Sequence, residues 1–210
     1  MTNREDFIVP LFPVPVGVYH FNEPYDTETA KNYIKENTKQ PNIHNSSSED
    51  VYMLDKPLFS PIKKFITEST QAYAEQAFLM DGKNVEVTIS WGNVTKPGQS
   101  HHLHHHLNSF ISGVYYFNSC QDAPIRLDNP LNHHKQIEPI MEEATDHNMF
   151  TCWYWDIGPQ EHTLILFPSW LRHSVPKYQG NDERVNIAFN TWFKKDTEIG
   201  FKRGKTYLKF

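Results

Sequence analysis

From Val85 onward, apolar segments are short and closely punctuated, and this spacing constrains the chain more than any other feature. VEVTISWGNV, FISGVYYF, PIRLDNP, MFTCWYWDI, TLILFPSWLRHSVP and RVNIAFNTWFK follow one another at hairpin spacing. Segments of this length, rich in β-branched and aromatic residues and separated by turn signals, predict antiparallel strands. In the first of them Val85, Val87, Ile89 and Trp91 alternate, which predicts one shared face, and Lys96-Pro97-Gly98 makes the turn that follows. Helical signals come only earlier. Asp26 can cap a helix in which Ala30, Tyr33 and Ile34 recur at helical spacing until the polar stretch Lys39 to Asp50, read as a loop. Ser60-Pro61 opens a longer helix through Ile62, Phe65, Ile66, Ser69 and Tyr73, with Gly82 as its stop signal. Phe7 to Phe21, broken by Pro10, Pro13 and Pro15, suits the margin of a sheet, because proline cannot donate to a ladder. The expected fold is mainly β (α+β): a double-stranded β-helix, jelly-roll or cupin-like, buttressed by two or more N-terminal helices. One domain over 1–210 is expected, with helical support at about 22–82 and the jelly-roll core at about 85–193.

Composition narrows the function classes. A net charge of -5 gives no electrostatic footprint for nucleic acid, and 14% aromatic residues argue against disorder. Cys120 and Cys152 are too few for a disulfide framework and form no C-x-x-C pair, which favours a reducing, cytoplasmic compartment. No apolar window approaches the roughly 18 residues of a membrane span.

Between Gln99 and Asn118, five of the twelve histidines fall within six positions: His101, His102, His104, His105 and His106. In an extended chain His104 and His106 project to one side and His105 to the other, so two imidazoles can share one ion. A solvated histidine loop is the alternative. His173 follows the turn after TLILFPS, and Arg184 opens the last strand. An arginine at the start of a buried strand is costly unless an acid meets it, and its planar fork suits a bidentate carboxylate, whether from an internal salt bridge or a ligand.

SWGNVTKPG, the HHHLNSFISGVYYF block, RLDNP, and TLILFPSWLRHSVP followed by ERVNIAFNTW resemble, in that order, the Fe(II)/2-oxoglutarate-dependent oxygenases of the double-stranded β-helix fold. The nearest likeness is to a small group from phages and marine bacteria, whose opening LFPVPV also resembles. This resemblance implies that His104, His106 and His173 are the metal ligands, with His106 where most of the superfamily has an aspartate. It implies that Arg184 and Tyr116 hold the far carboxylate of 2-oxoglutarate, and that Asn93 and Asn186 face the cavity and touch cosubstrate or substrate. Asp128 in RLDNP is an alternative carboxylate ligand, while His101, His102 and His105 either support the ligands or lie at the surface. The implied cofactors are Fe(II), 2-oxoglutarate and O2, and the implied reaction is hydroxylation of an unactivated C–H bond in a small molecule or a protein side chain. Trp91, Tyr115, Trp153, Trp155 and Trp170 are candidates for the pocket wall, and the loop Leu131 to Asn148 for a lid. Two other readings remain open. One is a three-histidine cupin-type metalloenzyme without 2-oxoglutarate, and the other a non-catalytic jelly roll. The basic tail Phe201 to Phe210 reads as a solvated terminal strand.

Overall fold

The computed structural model describes residues 8–82, 84–119, 121–133, 142–143, 145–146, 148–195, 198–199 and 206–207. Its strands and helices run, in chain order, β1 (Gly17–His20), α1 (Thr27–Asn37), β2 (Gln40–Asn42), β3 (Asn45–Ser47), α2 (Ser60–Phe78), β4 (Val85–Thr95), β5 (His101–His104), β6 (Ile111–Tyr116), β7 (Ile125–Asp128), β8 (Tyr154–Ile157), β9 (Thr163–Pro168), β10 (His173–Val175), β11 (Arg184–Phe193), β12 (Glu198–Ile199) and β13 (Thr206–Tyr207). A seven-stranded sheet has the order β1-β9-β6-β11-β4-β3-β2, and a four-stranded sheet the order β5-β10-β7-β8. The mainly β expectation holds, and two helices buttress the larger sheet.

Those helices form where the sequence predicts. Asp26 caps α1 by accepting from the backbone N–H of Thr29 at 3.1 Å. α2 begins at Ser60 but ends before Gly82: Leu79 takes the left-handed conformation, φ 53°, and stops it. The polar stretch read as a loop contains the β2/β3 hairpin, which extends the large sheet by pairing Ser47 with Asn93. The proline-broken N-terminal segment contributes only β1, an edge strand on β9, as its missing N–H donors require.

The large sheet is buried on both faces. Its outer face packs Tyr115, Phe117, Leu164, Leu166, Ile187 and Phe189 against Ala30, Ile34, Ile62 and Ile66 of the helices. Its inner face packs Val114, Tyr116, Ile165, Phe167 and Ala188 against Ile125, Leu127 and Val175 of the small sheet. Strand alternation divides the two sets, so in β11 Val185, Ile187 and Phe189 face the helices while Arg184, Asn186, Ala188 and Asn190 face inward.

β4 departs from the predicted single face. The pairing with β11 slips between Asn190 and Thr191, leaving Thr88 as an extra residue. Such a bulge reverses the side-chain sense beyond it. Val85 and Val87 therefore join the helix-side cluster, whereas Trp91 joins the inner one.

Gly113 in β6 sits directly across from Phe189. A Cβ there would collide with the Phe189 ring and lie 2.7 Å from Cδ2 of Leu166. Gly113→Ala is expected to destabilise the protein by about 1–3 kcal/mol, the usual range for overpacking. Urea denaturation checks this, and an unchanged midpoint would show that the outer core has slack.

Candidate metal centre

β5 and β10 are paired antiparallel with His104 opposite His173, and the chain leaves β5 to carry His106 back over the same spot. That position is fixed by the backbone N–H of His106 donating to the carbonyl of Ser169 at 3.0 Å. Ligand nitrogens of His104, His106 and His173 all lie within 4.8 Å of one another. His105 points away and is exposed, as the alternation predicts.

Hydrogen bonds fix the tautomers. Nδ1 of His104 meets the carbonyl of His102 at 2.8 Å, and Nδ1 of His173 meets the carbonyl of Leu171 at 2.9 Å. A carbonyl only accepts, so each Nδ1 carries the proton and each Nε2 presents its lone pair. Nδ1 of His106 donates to Oδ1 of Asn190, which also accepts from the Ser112 hydroxyl. Three lone pairs thus converge, with Nε2 of His104 and His106 only 3.3 Å apart. Neighbouring lone pairs repel, and a cation at their centre removes the repulsion. This donor set fits a divalent metal such as iron.

The electrostatics agree. Burial pushes the pKa of His106 down to about 4 and those of His104 and His173 downward too, so all three stay neutral at ordinary pH. An unfolded histidine titrates near 6.5, so between that value and about 4 the unfolded chain binds more protons than the folded one. The stability contributed by neutral imidazoles is complete above this window and lost as pH falls through it. The urea midpoint of metal-free protein is expected to drop from about pH 7 to about pH 5. A flat profile would mean that these imidazoles are solvated.

Asn190 and Ser112 were not among the site residues expected from sequence. The signal was present in β11, where Asn190 shares the inward row of Arg184 and Asn186. Outer partners of ligating histidines are typically worth 10–100-fold in metal affinity. Asn190→Leu is expected to cost about that much, read as the Fe(II) dissociation constant under anaerobic conditions.

The rest of the cavity wall comes from six strands, β4, β5, β6, β7, β10 and β11. Trp91, Asn93, His101, Val114, Ile125, Val175, Arg184, Asn186 and Ala188 line it together with the three histidines. Arg184 is 4% exposed and donates to the carbonyl of Ala123 at 3.2 Å and to the Tyr116 hydroxyl at 2.9 Å. Its guanidinium also lies 4.9 Å from the Tyr116 ring centre. Among the described residues no acid forms an ion pair with Arg184. Of the sequence-derived site residues, His104, His106, His173, Arg184, Asn93 and Asn186 line this cavity, and Tyr116 stands behind Arg184 through its hydroxyl.

Asp128 is not part of the cluster. Its carboxylate faces Arg172, 3.9 Å away, because β7 pairs with β10 in a register that places Leu127, not Asp128, opposite His173. Of the remaining histidines, His101 lines the cavity, with its ring 4.5 Å from that of His104, and His102 is partly buried beside both. Of the five aromatic candidates, only Trp91 lines the cavity. Tyr115 belongs to the helix-side core, hydrogen-bonded to Nδ1 of His162 at 2.6 Å, and Trp155 and Trp170 are exposed. Most of the segment proposed as a lid, including 134–141, lies outside the described residues, as does most of the basic tail. Among the described residues no helix is long and apolar enough to cross a membrane.

Residues 89–190 match the family described as "Putative 2OG-Fe(II) oxygenase". The fold is similar to that of HygX from Streptomyces hygroscopicus, solved with nickel and 2-oxoglutarate bound, at TM-score 0.57, 12% identity and coverage of 93% of this chain and 92% of that one. It is also similar to a prolyl-4-hydroxylase from Pseudomonas putida, at 0.55, 12%, 86% and 92%, and to a 2OG-Fe(II) oxygenase family oxidoreductase from Burkholderia pseudomallei, at 0.55, 9%, 84% and 83%. No curated protein matches the chain.

Proposed function

We propose that this chain, which through its 89–190 block belongs to the 2OG-Fe(II) oxygenase superfamily, is a hydroxylase that holds Fe(II) on three histidines and couples 2-oxoglutarate decarboxylation to C–H oxidation. One observation carries this reading: a buried arginine that meets no acid among the described residues faces the same cavity as three converging imidazole lone pairs. A buried guanidinium lacking a counter-charge is expensive, and a dicarboxylate reaching from the metal to Arg184 supplies the missing charge.

His104, His106 and His173 are the residues that would hold the iron through Nε2, leaving coordination positions open for 2-oxoglutarate and O2. Fe(II) with 2-oxoglutarate would supply the oxidising power for C–H hydroxylation, with succinate and carbon dioxide as the coproducts. Arg184 binds the far carboxylate through its fork, and the Tyr116 hydroxyl, accepting from Arg184, fixes where that fork points. Asn190 holds the His106 ring in its ligating tautomer. Val114, Ile125, Val175 and Ala188 supply an apolar wall that limits water around the bound acid.

Three neutral histidines also suit zinc, copper or nickel, so the cosubstrate decides the matter. Anaerobic titration of Fe(II)-loaded protein with 2-oxoglutarate is expected to produce the visible charge-transfer band of a chelated 2-oxo acid. Iron binding without that band would favour a cupin-type enzyme, and no iron binding at all would remove the enzymatic reading.

A further inference from the structure

The cavity carries polar groups that 2-oxoglutarate cannot satisfy. Asn93 and Asn186 stand opposite one another on β4 and β11, 4% and 1% exposed, and both line the cavity. Nδ2 of Asn93 donates to Oδ1 of Asn186 at 3.2 Å. Oδ1 of Asn93 and Nδ2 of Asn186 are left buried with no partner among the described residues. Exchanging oxygen and nitrogen in both amides keeps the mutual bond and leaves the same unmet set, one acceptor and one donor. One step along the strands, opposite Arg184, the buried Thr95 hydroxyl is unpartnered too.

The 2-oxoglutarate dianion has only acceptor oxygens. It can take a hydrogen bond from the donor half of the pair, never give one to the acceptor half. A buried acceptor left unmet costs enough to shape specificity, so a donor has to come from elsewhere.

We propose that the Asn93–Asn186 pair is the specificity-determining wall of the cavity, and that it takes a neutral substrate group offering an N–H donor beside an acceptor oxygen: a carboxamide. This deepens the oxygenase reading by naming a substrate class. Trp91, on the same face of β4 and with its ring 5.7 Å from that of His106, gives such a group an aromatic surface to lie against.

Three probes of nearly equal shape separate the possibilities: benzamide, acetophenone, which lacks the donor, and benzoate, which is charged and lacks it too. Binding to Zn(II)-loaded protein would be followed by the side-chain amide NMR signals of Asn93 and Asn186, with and without saturating 2-oxoglutarate. Benzamide is expected to bind about tenfold or more tighter than acetophenone in both conditions, and than benzoate once 2-oxoglutarate is saturating. Asn93→Leu should reduce it to the level of acetophenone, and if that variant fails to fold the wild-type comparison decides alone. Equal binding of benzamide and acetophenone, displacement of benzamide by 2-oxoglutarate, or no benzamide binding would each overturn the proposal, leaving the pair as a water site or part of the cosubstrate pocket. Should benzamide bind as expected while 2-oxoglutarate does not bind at all, the carboxamide subsite stands and the oxygenase reading falls.

Discussion

His173→Ala should lower Fe(II) affinity by more than about 100-fold, since even the outer partners of ligating histidines are worth 10–100-fold. His104 and His106 come from one short segment, whereas His173 is the one proposed ligand from the neighbouring strand β10. Without it two imidazoles remain, and two neutral donors hold a labile ion weakly. Anaerobic Fe(II) titration of the variant beside His101→Ala is the measurement. Undiminished binding in His173→Ala would mean that His101, whose ring lies 4.5 Å from that of His104, completes a different site. Weakened binding in both variants would make the site a four-histidine one.

Arg184→Met should move two properties in opposite directions. Affinity for 2-oxoglutarate is expected to fall by more than about 100-fold, because charged hydrogen bonds contribute about 1.5–3 kcal/mol each and a bidentate carboxylate uses two. The ligand-free protein should meanwhile become as stable as wild type or more so. A buried charge without a counter-ion costs stability, and an apolar residue of similar length fills the same space. Isothermal titration gives the first quantity and the urea midpoint the second. If affinity is kept, the far carboxylate lies elsewhere. If stability collapses, the bonds to Ala123 and Tyr116 are structural rather than preparatory.

Much of the site could be read before the fold because its residues break local rules that the core obeys. Histidines at alternate positions and an arginine heading a strand of otherwise apolar and amide residues are expensive choices, and expensive residues mark function. The carboxylate at Asp128 was harder to judge, since nothing local says that β7 meets β10 with Leu127 opposite His173. Asn190 and Ser112 were missed for the same reason: 78 residues separate them, and only the pairing of β11 with β6 brings them together. The face of Trp91 was hidden by the bulge at Thr88, because alternation counted straight through β4 assigns it to the wrong side of Val85. The short β2/β3 hairpin is mostly polar and owes its existence to the edge of β4, which a propensity reading cannot see.

The order of the large sheet also bears on how the protein is made. β11, the longest-range partner of both β4 and β6, is the central strand and the last of that sheet to leave the ribosome. Until residue 193 emerges, β4 and β6 each present an unpaired edge, and Arg184, Asn186 and Asn190 are missing from the cavity. No partial chain can own the site. From the end of β6 until residue 193 synthesis must therefore carry an open, aggregation-prone sheet, and the same insertion that seals it brings Arg184 to the cavity, so the sheet and the cavity are completed in one step.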